Sequence, residues 1–162
     1  MMRTFSQYPT LRPRSGFTLI EMLIVTGILG VIAMMSMGQI SNYVRERNVS
    51  SAAAAVRMDL QQAFAIAARN RRPVRVSFAR GDTALRITDR ENRTTYVRRG
   101  LGAGAGFMLT PSDVAFCTST CAEASVDVFP NGWASDSLSV TISKGPYTRG
   151  VRMSRSGLVT TR

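Results

Sequence analysis

Residues 17–40 read FTLIEMLIVTGILGVIAMMSMGQI, a stretch in which Glu21 is the only charged side chain. As a helix, these 24 residues span about 36 Å, enough to cross a hydrocarbon core of about 30 Å. Upstream, residues 1–16 (MMRTFSQYPTLRPRSG) hold Arg3, Arg12 and Arg14 and no acid. A cleaved secretory signal has a shorter apolar core followed by a small-residue cleavage site. Here the small residue, Gly16, precedes the apolar block, so the break is expected after Gly16 and the block is kept. Arg12 and Arg14 then stay cytoplasmic, and the chain beyond the span lies across the membrane.

An unpaired carboxylate inside a membrane helix costs about 2.5–3.5 kcal/mol, so Glu21 asks for a partner. Cleavage after Gly16 gives Phe17 a positive amine four residues before Glu21, on the same helix face. Glu21 can then meet its own amine or that of a neighbouring subunit. The plainer alternative is a carboxylate near the interface, reaching headgroup water.

With these residues in view, Gly16-Phe17-Thr18-Leu19-Ile20-Glu21 followed by an apolar run resembles the prepilin signature of type IV pilins and type II secretion pseudopilins. The resemblance implies that a prepilin peptidase cuts between Gly16 and Phe17 and methylates the new Phe17 amine. It also implies that Glu21 recruits and registers the subunit in a growing filament. Major pilins commonly carry a helix-kinking Pro late in this segment; here Gly27, Gly30 and Gly38 stand in its place as loosening points.

The helical pattern continues past the span. Val49, Ala53, Val56, Leu60, Ala63, Phe64 and Ala67 keep the three-or-four spacing of one apolar stripe. Arg45, Arg47, Arg57 and Asp59 are expected on other faces. The helix is expected from about Thr18 to Arg69, ending before Pro73. From Val74 the period falls to two, with Val74, Val76 and Phe78 alternating with Arg75 and Ser77 before a turn at Gly81-Asp82. Further strands are expected at 85–87, 94–98, 114–118, 126–129, 138–143, 151–155 and 158–161, separated by Pro130-Asn131-Gly132, Lys144-Gly145-Pro146 and Ser156-Gly157. The fold class is α+β: one long helix packed on antiparallel sheet. The chain divides into a basic leader (1–16), a transmembrane half-helix (17–40), an amphipathic half-helix (41–72) and a β-rich globular part (73–162).

The C-terminal part narrows the resemblance. Phe129-Pro130-Asn131-Gly132, a strand, and then Val151-Arg152-Met153-Ser154-Arg155-Ser156-Gly157 are similar to the minor pseudopilin H and FimT-type minor pilin family. The helix end Ala67-Ala68-Arg69-Asn70-Arg71-Arg72-Pro73-Val74 fits the same family. The resemblance implies a pilin-like fold and a structural subunit that initiates or caps a type IV pilus or a type II secretion pseudopilus. It sits in the bacterial inner membrane with its globular part in the periplasm, and its partners are other pilins or pseudopilins and the prepilin peptidase.

Composition limits the chemistry. The chain has no His, which removes the commonest general base and metal ligand. Cys117 and Cys121 lack the four-ligand spacing of a zinc site. No cofactor or metal is expected, and a tethered enzyme is the weakest reading. In an oxidising compartment the two cysteines can form a disulfide if they flank a tight turn; on one straight strand they cannot, because the Cα separation is too great. The run GLGAGAG at 100–106 lacks the following helix that a dinucleotide-binding loop needs, and is expected to be a flexible loop.

Charge supplies the competing function. The net charge is +11, and 20 of the 21 basic residues are Arg, with Lys144 the only lysine. Residues 69–99 hold ten Arg against Asp82, Asp89 and Glu91, residues 100–140 hold only acids, and residues 141–162 hold only bases. FimT-type minor pilins are DNA receptors for natural transformation, so the resemblance offers DNA as an alternative partner. Arg149, Arg152, Arg155 and Arg162 are then the candidate phosphate contacts, with Arg71, Arg72, Arg98 and Arg99 as additions. The bland counterpart is a solvated basic face, or one that pairs with acidic surfaces of other subunits.

Overall fold

The computed structural model describes residues 16–78, 82–91, 93–119, 121 and 125–162, with the side chains of 36–38 set aside. The first fifteen residues of the expected leader, the turn residue Gly81 and the acid Glu123 lie outside the described residues. Residues up to Ile40 form one compact unit and Ser41–Arg162 a second.

One helix, α1 (Leu19–Asn70), runs through both. Thr18 stands just before it and caps the first turn, its Oγ accepting the Glu21 N–H at 3.3 Å. That arrangement supplies one of the bonds a helix start lacks. Through Met35 the helix shows its apolar side chains on every side, Leu19 and Met34 among the most exposed, with no protein cover among the described residues. It is long and apolar enough to cross a membrane.

In the second unit the same helix becomes amphipathic. Val49, Ala52, Ala53, Val56, Leu60, Ala63 and Ala67 are buried. Four of these seven are Ala, and small side chains let strands approach the helix backbone closely. Asp59 departs from the expectation: it is buried rather than outward-facing. The helix ends where Arg71 turns to φ 51 and Pro73 follows, since neither a left-handed residue nor the residue before a proline continues an α-helix.

The strands are β1 (Val74–Phe78), β2 (Ala84–Asp89), β3 (Thr95–Gly100), β4 (Val114–Thr118), β5 (Ser125–Val128), β6 (Leu138–Lys144), β7 (Tyr147–Met153) and β8 (Val159–Thr161). They form two four-stranded sheets, ordered β3-β2-β1-β5 and β4-β6-β7-β8, with every pairing antiparallel. β4 lies in the second sheet, β5 returns to the first and β6 goes back to the second, so the chain crosses between sheets three times. Alternation is clearest in β1, β5 and β6: Val74, Val76 and Phe78 of the first sheet and Leu138, Val140 and Ile142 of the second are buried in one core with the helix stripe.

Most strands shift by a residue or two from their expected limits, and β7 by four at its start. β3 extends to Gly100, and β7 begins at Tyr147 because the Gly145 turn at φ 62 closes a tight hairpin. The glycine run after β3 is anchored rather than a free loop. Leu101 and Leu109 are buried in the core, and the Leu101 N–H donates to the Thr83 carbonyl at 2.8 Å.

Candidate functional site

The N-terminal candidates come together at the head of α1. Gly16 and Phe17 precede the helix, and Glu21 lies exposed in its first turn. Its carboxylate therefore stands at the positive end of the helix dipole, a favourable place for an anion. Sequence reasoning missed the Thr18 cap, although Thr18-Leu19-Ile20-Glu21 has the Ser/Thr-x-x-Glu spacing that signals a helix start.

The four C-terminal arginines are separated by strand geometry. In the β6–β7 ladder Arg149 pairs with Ile142 and Arg152 with Ser139. Ile142 faces the core, so Arg149 stands on the helix side of the sheet and Arg152 on the outer side. Arg162 faces Gly150 through two backbone bonds of 2.8 and 3.0 Å and joins Arg152 on the outer side. Together they border a shallow groove of about 950 Å³ lined by small polar residues, including Ser139, Thr141 and Thr160.

Arg155 is engaged elsewhere, donating to Asp136 at 3.1 Å. Asp136 also accepts the Ser119 hydroxyl and the Ser119 and Ser137 backbone N–H groups. The Ser119 hydroxyl is the main reason its carboxyl is held down to about 2, with the backbone donors and Arg155 adding to the effect. The additional arginines scatter as well. Arg98 is exposed on the outer face of the first sheet, across from Arg86. Arg99 points inward and grips Asp59 with two bonds of 2.8 and 2.9 Å; the carboxylate beside it raises the pKa of its guanidinium. Arg99 is therefore part of the packing between helix and sheet, not of a surface track.

Cys117 is the half-buried penultimate residue of β4 and Cys121 follows a turn closed by the Cys121 N–H to Thr118 carbonyl bond of 3.2 Å. With Cys121 at φ 53 the two Cα atoms lie 4.4 Å apart and the sulfurs are joined as a disulfide. Of the two geometries open to the sequence, the structure has the turn. Among the described residues no group of three or more His, Cys, Asp or Glu converges as metal ligands would.

Comparison with known proteins adds two findings. Residues 11–37 match the prokaryotic N-terminal methylation motif, a span that contains Gly16, Phe17 and Glu21. Two crystal structures of the type IV minor pilin FimU from Pseudomonas aeruginosa (strain PAO1) share the fold. The first is 17% identical, covers 74% of this chain and 92% of that one, and superposes with a TM-score of 0.56. The second crystal form is 16% identical, covers 70% and 91%, and gives 0.52. No curated protein matches the chain in sequence. The chain thus carries a prokaryotic N-terminal methylation motif and has the fold of a type IV minor pilin.

Proposed function

We propose that this chain is a minor pilin-type subunit, anchored in the inner membrane by residues 17–40 and built into a filament from the periplasmic side. One observation carries the reading: the methylation motif leads directly into an exposed apolar stretch, residues 17–40, whose only charge, Glu21, sits in the first turn of α1, and α1 continues into a globular part with the fold of a minor pilin. The chemistry follows from the membrane. A lone carboxylate in hydrocarbon costs about 2.5–3.5 kcal/mol, and the amine released at Phe17 by cleavage after Gly16 is the nearest cation able to neutralise it. In a filament, helices packed side by side bring one subunit's Phe17 amine to the next subunit's Glu21. Initiating or capping a pilus or a secretion pseudopilus is the role proposed for such a subunit.

The test is mass spectrometry of the chain from membranes of its native host, combined with sheared-filament assays. Processing gives a chain that begins at methylated Phe17. Glu21→Ala is then processed normally yet recovered about tenfold less in filaments, a loss equivalent to about 1.4 kcal/mol of assembly free energy. An intact leader, or wild-type incorporation of Glu21→Ala, refutes the reading.

A second reading, DNA contact, is favoured by one feature, the placement of Arg152 and Arg162 on the same outer groove. Fluorescence anisotropy with double-stranded DNA tests it: binding that weakens steeply with salt and is lost in Arg152→Glu supports it, and no binding at low salt ends it.

A further inference from the structure

Between the second half of α1 and the C-terminal strand lies a groove of about 520 Å³. Ala53 and Ala54 line it, the exposed Met58 stands at its edge, and it is flanked by Arg57, Arg149 and Arg162, the last at the end of the chain where this groove and the outer one both reach it. β8, alongside, is a three-residue edge strand of the second sheet. Such a site offers a small apolar bed ringed by cations, beside a strand edge.

The three cations have no carboxylate partner among the described residues; Arg57 makes only a 3.5 Å bond to the Thr161 hydroxyl. The acids of this unit are engaged elsewhere. Asp59 pairs with Arg99, Asp82 with Arg86, Glu91 with Arg93, Asp127 with Arg75 and Arg90, and Asp136 with Arg155. Asp113 accepts the Thr110 N–H and Asp89 the Arg90 N–H. Among the described residues of the unit, Glu46 is the acid left without such a partner. Among the described residues of this unit in a second copy, only Glu46, Asp89 and Asp113 are acids without a cation partner, against a net charge of +11 for the chain.

We propose that this groove docks an acidic segment of a different filament subunit, its carboxylates meeting Arg57, Arg149 and Arg162 and a small apolar side chain resting on Ala53 and Ala54. The inference builds on the filament role proposed above. Charge complementarity selects the partner: the net charge of +11 makes a second copy repulsive at this cationic groove and favours hetero-assembly with an acidic subunit. DNA fits less well, because Arg152 lies on the opposite face of β7 from Arg149, so the groove's cations do not continue into a track for successive phosphates.

The test is photocrosslinking in the native host with the full-length chain carrying Ala54→p-benzoylphenylalanine, with Phe17 processing read from the same membranes. The expected product joins Ala54 to a distinct polypeptide at a segment containing at least two Asp or Glu. Its yield falls about tenfold in Arg57→Glu/Arg149→Glu, as expected when like charges are forced together. Arg152→Glu, on the other face of β7, leaves the yield unchanged. Arg57→Gln/Arg149→Gln, which removes charge without repulsion, lowers it by an intermediate factor while the unfolding midpoint stays at the wild-type value. A crosslink to a second copy, a nuclease-sensitive crosslink, or a yield indifferent to charge reversal overturns the proposal. An unprocessed leader overturns the filament reading instead, whereas a processed chain with no acidic adduct overturns this inference alone.

Discussion

Gly157 is the position where a single methyl group is expected to do most damage. It lies at φ 80 in the turn between β7 and β8, its N–H donating to the Ser154 carbonyl at 3.1 Å. A Cβ at this position would stand 2.6 Å from the Gly132 carbonyl oxygen and 3.3 and 3.4 Å from two ring carbons of Phe64. The carbonyl cannot easily retreat. Its turn is closed by the Gly132 N–H to Phe129 carbonyl bond of 3.1 Å and the Phe129 N–H to Trp133 carbonyl bond of 2.8 Å. Left-handed backbone costs an L-residue about 1–2 kcal/mol, and forcing a methyl into a packed contact costs about 1–3 kcal/mol more. Gly157→Ala is therefore expected to lose about 2–5 kcal/mol in all. Gly132 provides the control. It has φ 85, but a Cβ there would meet nothing within 4 Å, so Gly132→Ala carries the conformational cost of about 1–2 kcal/mol alone. Urea unfolding of the detergent-solubilised full chain, followed by far-UV circular dichroism, compares the two. With an m-value of about 1–3 kcal/mol/M, the expected difference separates the midpoints by roughly 1 M. Equal losses at the two glycines would refute the claim that these turns are locked against each other and against the helix.

Three further outcomes are measurable on the same chain. Arg99→Leu strands Asp59, whose side chain is 1% exposed, and is expected to cost about 1–3 kcal/mol, since Arg99 is itself 42% exposed and its charge is screened by solvent; adding Asp59→Leu should recover most of that, because an apolar pair can replace an ion pair whose carboxylate is buried. A double variant no more stable than Arg99→Leu would exclude a stranded charge as the cause. Asp136, held to about 2 in the fold, has an unfolded value of about 3.9, so its contribution to stability is complete above about pH 4 and disappears as pH falls through about 2. Asp136→Asn should flatten that part of the wild-type urea-midpoint profile, and an unchanged profile would argue against the network. Reducing the Cys117–Cys121 bridge, which spans a sequence separation of 4, opens a very small loop; loop-closure entropy sets the expected loss at about 2 kcal/mol, read as the shift in unfolding midpoint on adding a phosphine reductant.

The extent of the helix was legible because both its regimes are written in local periodicity: continuous apolar residues to Ile40, then a stripe every three or four. Strand existence was legible for the same reason. Sheet membership was not, since the choice of β6 by β4 and of β1 by β5 depends on partners that local pattern does not name. Asp59 was expected to face outward because it is charged, and the residue that makes its burial tolerable, Arg99, lies 40 positions further on. The separation of Arg149 from Arg152 was missed because the expected strand began at 151; once β7 begins at Tyr147, residues three apart on it face opposite ways. The contact that constrains Gly157 was visible in sequence only as one turn among several, because Gly132 and Phe64 reach it through tertiary packing.

Glu21 serves two structural demands that a suitable substitution can separate. At the head of α1 its backbone N–H is capped by Thr18 at 3.3 Å, and its carboxylate complements the helix dipole, an effect worth about 0.3–1 kcal/mol. In the proposed filament its charge neutralises a neighbour's Phe17 amine. Glu21→Gln keeps the capped N–H and side-chain hydrogen bonding, and it also removes the cost of placing an ion in hydrocarbon. The variant should therefore insert and be processed at least as well as wild type. If helix capping were the whole role of Glu21, Glu21→Gln would enter filaments normally. If charge pairing drives assembly, it should fail to nearly the same degree as Glu21→Ala. A compensating test follows from the same geometry: mixing Glu21→Gln with wild-type subunits should leave each variant subunit unable to receive a neighbour's amine but still able to offer its own. Its recovery in mixed filaments should then rise above its recovery alone, whereas equal recovery in both would show that the carboxylate and the amine do not act between subunits.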